Sequence, residues 1–113
     1  MVHELAIVES VVEAISDRIG DSRVTRVRLE IGKLSGVMPD AVRFCFDIAT
    51  EDTPLVGALL EIIETPGRAR CRQCGGRIEI DGPIALCRCG SANLEFLDGT
   101  GLRIKEVEVR SDV

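Results

Sequence analysis

Four of the five cysteines stand in two close pairs, each followed at once by glycine: Cys71 with Cys74, and Cys87 with Cys89. A structural Zn(II) ion takes four protein ligands in a tetrahedron, and two short turns can supply them. Gly75 and Gly90 permit the left-handed backbone that follows such a turn. The pattern therefore predicts a closed Zn(II) site with four thiolate ligands, which leaves no open position for a catalytic water.

Two other interpretations of the cysteines stay open. An iron–sulfur cluster also takes four thiolates, and free thiols or two disulfides need no metal. Glu4, Glu9 and Glu13 interrupt any apolar leader, and no basic start precedes them. We therefore expect a cytoplasmic protein, in which thiols stay reduced and paired cysteines favour a metal.

The arginines are concentrated around the cysteines. The net charge is −5, but residues 68–88 contain five arginines against Glu79 and Asp81, a local +3 that leaves −8 for the rest. The arginines offset the negative charge of a four-thiolate centre, and their guanidinium groups can donate to the sulfurs. The overall acidity argues against a nucleic-acid partner. Every apolar run is too short to span a membrane.

Two helices are predicted in the first half of the chain. Apolar residues recur at intervals of three and four from Leu5 to Ile19, which predicts an amphipathic helix ended by Gly20. Pro39 suits the first turn of a second helix. Its inner face is predicted to consist of Val42, Cys45, Phe46 and Ala49. Cys45 is interpreted there as a small buried residue.

Three strands are predicted outside the cysteine segment. Apolar and charged residues alternate over 24–31, again near Leu60–Ile62, and again over 102–109. The last alternation changes phase between Lys105 and Glu106, which predicts a bulge or a long twist. The fold class predicted is α/β: a small sheet of about three strands with two helices, plus an inserted zinc-ribbon lobe. The strand 102–110 is expected to return to the sheet that contains Val27, Leu29 and Ile31.

His3 is the only histidine in the chain and lies close to the α-amine of Met1. An amine, deprotonated amide nitrogens and an imidazole form a square-planar set, which suits Ni(II) or Cu(II) better than Zn(II). Glu4 follows and can close the site or neutralise the ion. A single histidine near a chain end is also commonly an ordinary polar residue, and that alternative stays open.

The chain resembles the HypA/HybF family of hydrogenase nickel-incorporation proteins over nearly its whole length. The stretches that carry the resemblance are His3-Glu4-Leu5, residues 27–35, residues 39–47, residues 53–62 and the two cysteine pairs. Their order and spacing together are specific. The resemblance implies a nickel-binding α/β domain of residues 1–66 with 99–113, and a zinc-ribbon domain of residues 67–98.

The resemblance also implies a function and its ligands. It implies delivery of Ni(II) to the large-subunit precursor of [NiFe] hydrogenase together with the GTPase HypB, and in some relatives service to urease. The implied nickel-binding residues are Met1, Val2, His3 and Glu4. The implied Zn(II) ligands are Cys71, Cys74, Cys87 and Cys89.

The chain departs from the family pattern at two points. Its second cysteine pair is Cys-x-Cys where the family usually has Cys-x-x-Cys, and Val2 separates Met1 from His3. Removal of Met1 would restore the usual spacing and would require a further donor from Glu4 or a nearby side chain such as Asp40. Retention of Met1 would allow an amine, two amides and the imidazole to bind together.

The function predicted is that of a nickel metallochaperone. One histidine and no nucleophile–base arrangement argue against an enzyme. The alternative is a zinc-ribbon module that binds protein or nucleic acid without transferring nickel.

Overall fold

The computed structural model describes residues 3–81 and 85–110, with His3 described by its backbone alone. The elements in chain order are α1 (His3–Ile19), β1 (Arg23–Gly32), α2 (Pro39–Ala49), β2 (Leu59–Thr65), β3 (Gly67–Cys71), β4 (Arg77–Ile80), β5 (Leu94–Asp98) and β6 (Leu102–Arg110). They form two three-stranded sheets, in the orders β2-β1-β6 and β4-β3-β5. The predicted sheet with two helices and the additional cysteine-bearing lobe are confirmed.

The chain divides into two compact units. The first unit comprises Met1–Leu29, Val37–Ile63 and Ile104–Val113; the second comprises Glu30–Gly36 and Glu64–Arg103. The helices lie in the first unit, and the four paired cysteines lie in the second. The finer division into a domain of residues 1–66 with 99–113 and a domain of residues 67–98 stays a prediction.

The first helix ends where the sequence predicts. Its buried apolar side chains are Val8, Val11, Val12 and Ile15. Gly20 follows with φ of +61°, a conformation that favours glycine and ends the helix. The apolar stripe packs on α2.

The central strand β1 carries the core of the first sheet. Val27, Leu29 and Ile31 are at most 1% exposed, and they alternate with partly exposed Arg26 and Arg28. The strand β6 lies beside β1, so the predicted return of the C-terminal strand is confirmed. Along β6 both Lys105 and Glu106 are exposed, as the change of phase requires. The bulge itself stays a prediction.

Ion pairs connect the strands of this sheet on its charged face. Arg26 pairs with Glu61 and with Glu108, and Arg28 pairs with Glu61 and, at 2.6 Å, with Glu106. Hydrogen bonds from Arg28 and Arg26 lower the pKa of Glu61. These pairs are partly exposed, and each therefore contributes little to stability.

The second helix buries a narrower stripe than predicted. Pro39 occupies its first turn as expected, and Val42 and Phe46 are buried. Cys45, however, is only partly covered, so its interpretation as a buried residue was wrong. A helix of 11 residues buries only the positions on its packed face.

The second sheet was not predicted as strands. In β3, Gly67, Ala69 and Cys71 are buried while the intervening Arg68 and Arg70 are exposed. Strand β3 pairs antiparallel with both β4 and β5. The alternation was missed because its inward residues are small and only weakly apolar, whereas strand patterns usually rest on β-branched side chains.

Close backbone packing at Gly32 supplies a test of the second unit. A Cβ atom built at Gly32 would lie 2.1 Å from the carbonyl oxygen of Gly99, a contact that requires the backbone to move. We expect Gly32→Ala to destabilise the protein by about 1–3 kcal/mol or more. Chemical denaturation of metal-loaded protein measures this.

Gly101→Ala is the matched control. A Cβ there would meet no described atom within 4 Å. The unfolding free energy of this variant should stay within about 0.5 kcal/mol of the original protein. Equal stability of the two variants would show that the approach of Gly32 to Gly99 does not constrain the fold.

Candidate metal centre

The first cysteine pair forms a tight turn at the end of β3. The amide of Cys71 donates to the carbonyl of Gly76 at 2.8 Å, and the amide of Gly75 donates to the carbonyl of Cys71 at 2.9 Å. Gly75 has φ of +76°, as predicted from its position after the pair. The turn also directs amides at sulfur: those of Gln73 and Cys74 lie 3.4 and 3.5 Å from Cys71 Sγ.

The second pair is held by an equivalent turn despite its shorter spacing. The amide of Cys87 donates to the carbonyl of Ser91 at 2.9 Å, and the amide of Gly90 donates to the carbonyl of Cys87 at 2.8 Å. Gly90 has φ of +92°, again as predicted. The closing residue is Ser91, so the turn extends past the cysteines and does not depend on a second intervening residue between them.

Hydrogen bonds join the two turns. The amide of Arg72 donates to the carbonyl of Asn93 at 2.9 Å. The hydroxyl of Ser91 lies 3.5 Å from Gln73 Oε1 and accepts from the Asn93 amide at 3.1 Å. Sequence reasoning did not identify Gln73, Ser91 and Asn93 as residues that support the site. Their only sequence signal is their position within a few residues of a cysteine.

The four sulfur atoms of the paired cysteines lie close together. All four lie within 4.8 Å of one another. The sulfur–sulfur distance is 3.6 Å between Cys71 and Cys89 and 3.5 Å between Cys74 and Cys87. A regular tetrahedron with Zn–S of about 2.3 Å has edges of about 3.8 Å. The spacing of the thiols therefore fits a tetrahedral metal ion, and Cys-x-Cys brings both of its sulfurs to it.

The pKa is shifted in opposite directions at two cysteines of the cluster, Cys71 and Cys89. Amide hydrogen bonds from Cys74 and Gln73 lower the pKa of Cys71 to about 6, although burial opposes them. A hydrogen bond from the Ser91 amide lowers the pKa of Cys89, but the neighbouring thiols Cys71 and Cys87 raise it to a net value of about 11. Four thiolates at this spacing repel one another, so full deprotonation requires a cation among them.

The predicted donation from arginines to the sulfurs is not seen at Arg70 and Arg72, whose partners lie elsewhere. The donors seen at Cys71 are backbone amides. Arg70 instead pairs with Glu95 at 3.1 Å, and Arg72 donates to Asn93 and to the carbonyl of Leu94. Backbone amides are the better donors here because the turn itself places them, whereas a guanidinium group must order a long side chain.

The structure describes the four predicted nickel-binding residues to different extents. Met1 and Val2 lie outside the described residues, and of His3 only the backbone at the start of α1 is described. Glu4 is 6% exposed, and its Oε2 lies 3.5 Å from the amide of Met38. Asp40 is exposed in the first turn of α2.

The fold and the site define a small α/β protein with a four-cysteine metal-binding cluster. The family model for HypA, described as "Hydrogenase/urease nickel incorporation, metallochaperone", matches residues 2–109. The chain therefore belongs to the HypA family. Members of this family are metallochaperones and maturation factors and not enzymes, in agreement with the prediction.

Relatives and solved structures agree with this assignment. The chain is 52% identical to the hydrogenase maturation factor HypA of Nostoc punctiforme over 107 residues, 95% of each chain. It is 46% identical to that of Geobacter metallireducens over 95% of this chain and 98% of the relative. The solution structure of the nickel metallochaperone HypA from Helicobacter pylori shares the fold, with a TM-score of 0.67 at 20% identity over 96% of this chain and 98% of that one.

Within residues 3–81 and 85–110, neither helix combines the length and the apolar character that a membrane span requires.

Proposed function

We propose that this protein carries Ni(II) and delivers it to the large-subunit precursor of [NiFe] hydrogenase. The observation that carries the proposal is the nickel-incorporation family model, which matches from residue 2 onward and so includes His3 and Glu4. The relatives named hydrogenase maturation factor support hydrogenase as the recipient. The family description also names urease, and we propose urease as a second recipient only where a urease precursor is present.

The four-cysteine cluster is proposed to hold a resident Zn(II) ion. The sulfur spacing supports a tetrahedral ion, and four thiolates leave no position for a substrate. When bound, the ion supplies no chemistry of its own and crosslinks the two turns. This chain's own amides stabilise the Cys71 sulfur as a thiolate, which is the form that binds metal.

Nickel is proposed to bind at the N-terminus of the first unit. The proposed donors are the amine of Met1 or Val2, backbone amides, the imidazole of His3 and the carboxylate of Glu4. Nitrogen donors in a plane suit Ni(II). Such a site at a chain end is open to a partner, so nickel can move by exchange of ligands one at a time, without any covalent step in the protein.

A HypB-type GTPase is the proposed partner in that exchange, and the cytoplasm is the proposed location. The hydrogenase-maturation relatives support a partner from the same process. Reduced thiols at the cluster require a reducing compartment. Family membership favours this function over the alternative of a zinc-ribbon module that does not transfer nickel.

The proposal predicts a strong dependence of nickel binding on His3. His3→Ala should weaken Ni(II) binding about 10-fold or more, because it removes the imidazole donor. Competition with a chromogenic chelator measures the affinity, and zinc content serves as the control, since the cysteines are untouched. Equal nickel affinity of the two proteins would refute the N-terminal site and favour the zinc-ribbon module.

A further inference from the structure

The arginines near the cysteines lack the role that the sequence predicts for them. The sulfur of Cys71 receives backbone amides, whereas the guanidinium group of Arg70 pairs with Glu95 at 3.1 Å. An offset of the thiolate charge acts over distance and does not require arginines to lie side by side. The placement of these arginines on the second sheet therefore needs another explanation.

Two of the arginines lie directly opposite each other, Arg70 on β3 and Arg77 on β4. Both are exposed, and like charges in directly opposite positions destabilise a pair of strands. On its other side Arg70 has a counterion in Glu95, its register partner on β5. Within the part of the chain that the structure describes, no carboxylate lies at ion-pair distance from Arg77. The second sheet therefore exposes a cation that its described residues do not neutralise.

The neighbouring row of the same sheet has the opposite arrangement. In the register of the strands, Arg68 lies between Glu79 on β4 and Asp98 on β5. Opposite charges in such positions stabilise the pairing of strands. The sheet thus surrounds one arginine with carboxylates and leaves the next row with two adjacent arginines. That second row lies at the end of the sheet nearest the cysteines, since β3 ends at Cys71.

Arg72 extends this charged end of the sheet. Its Nη1 donates to Asn93 Oδ1 at 3.2 Å and to the carbonyl of Leu94 at 3.3 Å, and these bonds order the exposed side chain. They engage one nitrogen of a group that has five N–H donors. We call Arg70, Arg72 and Arg77 the arginine cluster. Its carboxylate partner among the described residues is Glu95.

We propose that the arginine cluster is a docking surface for a carboxylate-rich surface of a partner protein. Arginine suits this contact because its planar group binds both oxygens of a carboxylate at once. Complementary charges of this kind speed the encounter of two proteins and select the partner. The net charge of −5 argues against nucleic acid as the occupant. The inference rests on the proposed exchange of nickel with partner proteins and adds the chemistry that such a partner presents.

Substitutions at Arg77 test the docking surface. The probes are purified HypB-type GTPase and the purified large-subunit precursor of [NiFe] hydrogenase, each titrated with zinc-loaded protein. Arg77→Glu should weaken binding of at least one probe about 10-fold or more, because it reverses a charge at the contact. Arg77→Gln should weaken the same binding about 3–10-fold. Arg68→Gln is the matched control and should stay within about twofold, since it removes the same charge from the row that already contains carboxylates.

Stability gives a second measurement that a merely structural role would move the other way. Arg77→Glu places a carboxylate opposite Arg70, so the thermal midpoint of the second unit should rise by about 1–4 °C. The amide NMR signal of Ala69 follows the unfolding of that unit. A lower midpoint would show that Arg77 supports the fold and would overturn the proposal.

The binding experiment also has outcomes that overturn the proposal. Equal affinity of original protein and Arg77→Glu for both probes would remove the docking surface and leave the nickel site, which His3→Ala tests, in place. Binding of neither probe by the original protein would overturn the docking surface together with the proposed partners. Tighter binding of a single-stranded oligonucleotide, lost in Arg77→Glu, would identify nucleic acid as the occupant. Self-association that Arg77→Glu abolishes would identify a second copy of this chain instead.

Discussion

Replacing Cys74 with serine is expected to abolish zinc binding and to unfold the second unit. Among the described residues of that unit, the buried apolar side chains are Ile31, Ala69, Cys71, Ile80 and Cys87. Two of these five are themselves proposed ligands, so the unit has almost no core without the ion. Structural zinc contributes an apparent binding free energy of about 10–16 kcal/mol in small zinc domains, and folding depends on it.

The measurements are metal content and amide NMR signals. Original protein should contain about one Zn per chain, with Zn–S near 2.3 Å by X-ray absorption. In Cys74→Ser the zinc should be lost and the signals of Ala69 and Ile80 should collapse. The signals of Val42 and Phe46 should persist, because they belong to the core of the first unit.

Cys45→Ser is the matched control. Cys45 lies in α2, in the unit that does not contain the cluster. Its substitution by serine should therefore leave the zinc content unchanged. The interpretation of the cluster fails if Cys74→Ser retains stoichiometric zinc, or if reduced original protein contains two disulfides and no metal. Iron with visible absorption would indicate the iron–sulfur alternative.

The sequence predicted well those elements whose period is set by large apolar side chains. The helix predicted over Leu5 to Ile19 and the core of β1 follow from spacing alone, because Val27, Leu29 and Ile31 can be buried only on one face. The positive φ angles of Gly75 and Gly90 also followed, since few other residues adopt that backbone conformation after a metal-binding turn.

Features that depend on contacts distant in sequence could not be predicted. The alternation in β3 is carried by Gly67 and Ala69, whose burial depends on close packing and not on hydrophobicity. The donors to the sulfurs are backbone amides, which every residue except proline possesses and no motif reports. The contact of Glu4 with Met38 joins residues 34 positions apart, and no local pattern contains it.

Blocking the α-amine is expected to weaken nickel binding about 10-fold or more, since acetylation removes the first donor and its charge. With Met1 retained, the amine and the imidazole of His3 enclose two backbone amides, and deprotonation of both closes a planar set of four nitrogens. Because those protons leave on binding, nickel affinity in this form should rise with pH. With Met1 removed, the amine belongs to Val2 and one such amide lies between it and the imidazole, so a further donor is required. Asp40→Ala should therefore weaken nickel binding only in this form.

Mass spectrometry of the N-terminus identifies the form, and nickel titrations of each form, free and acetylated, measure the affinities. Zinc content should be the same throughout, because acetylation does not touch the cysteines. Undiminished nickel affinity after acetylation of both forms would refute a terminal site.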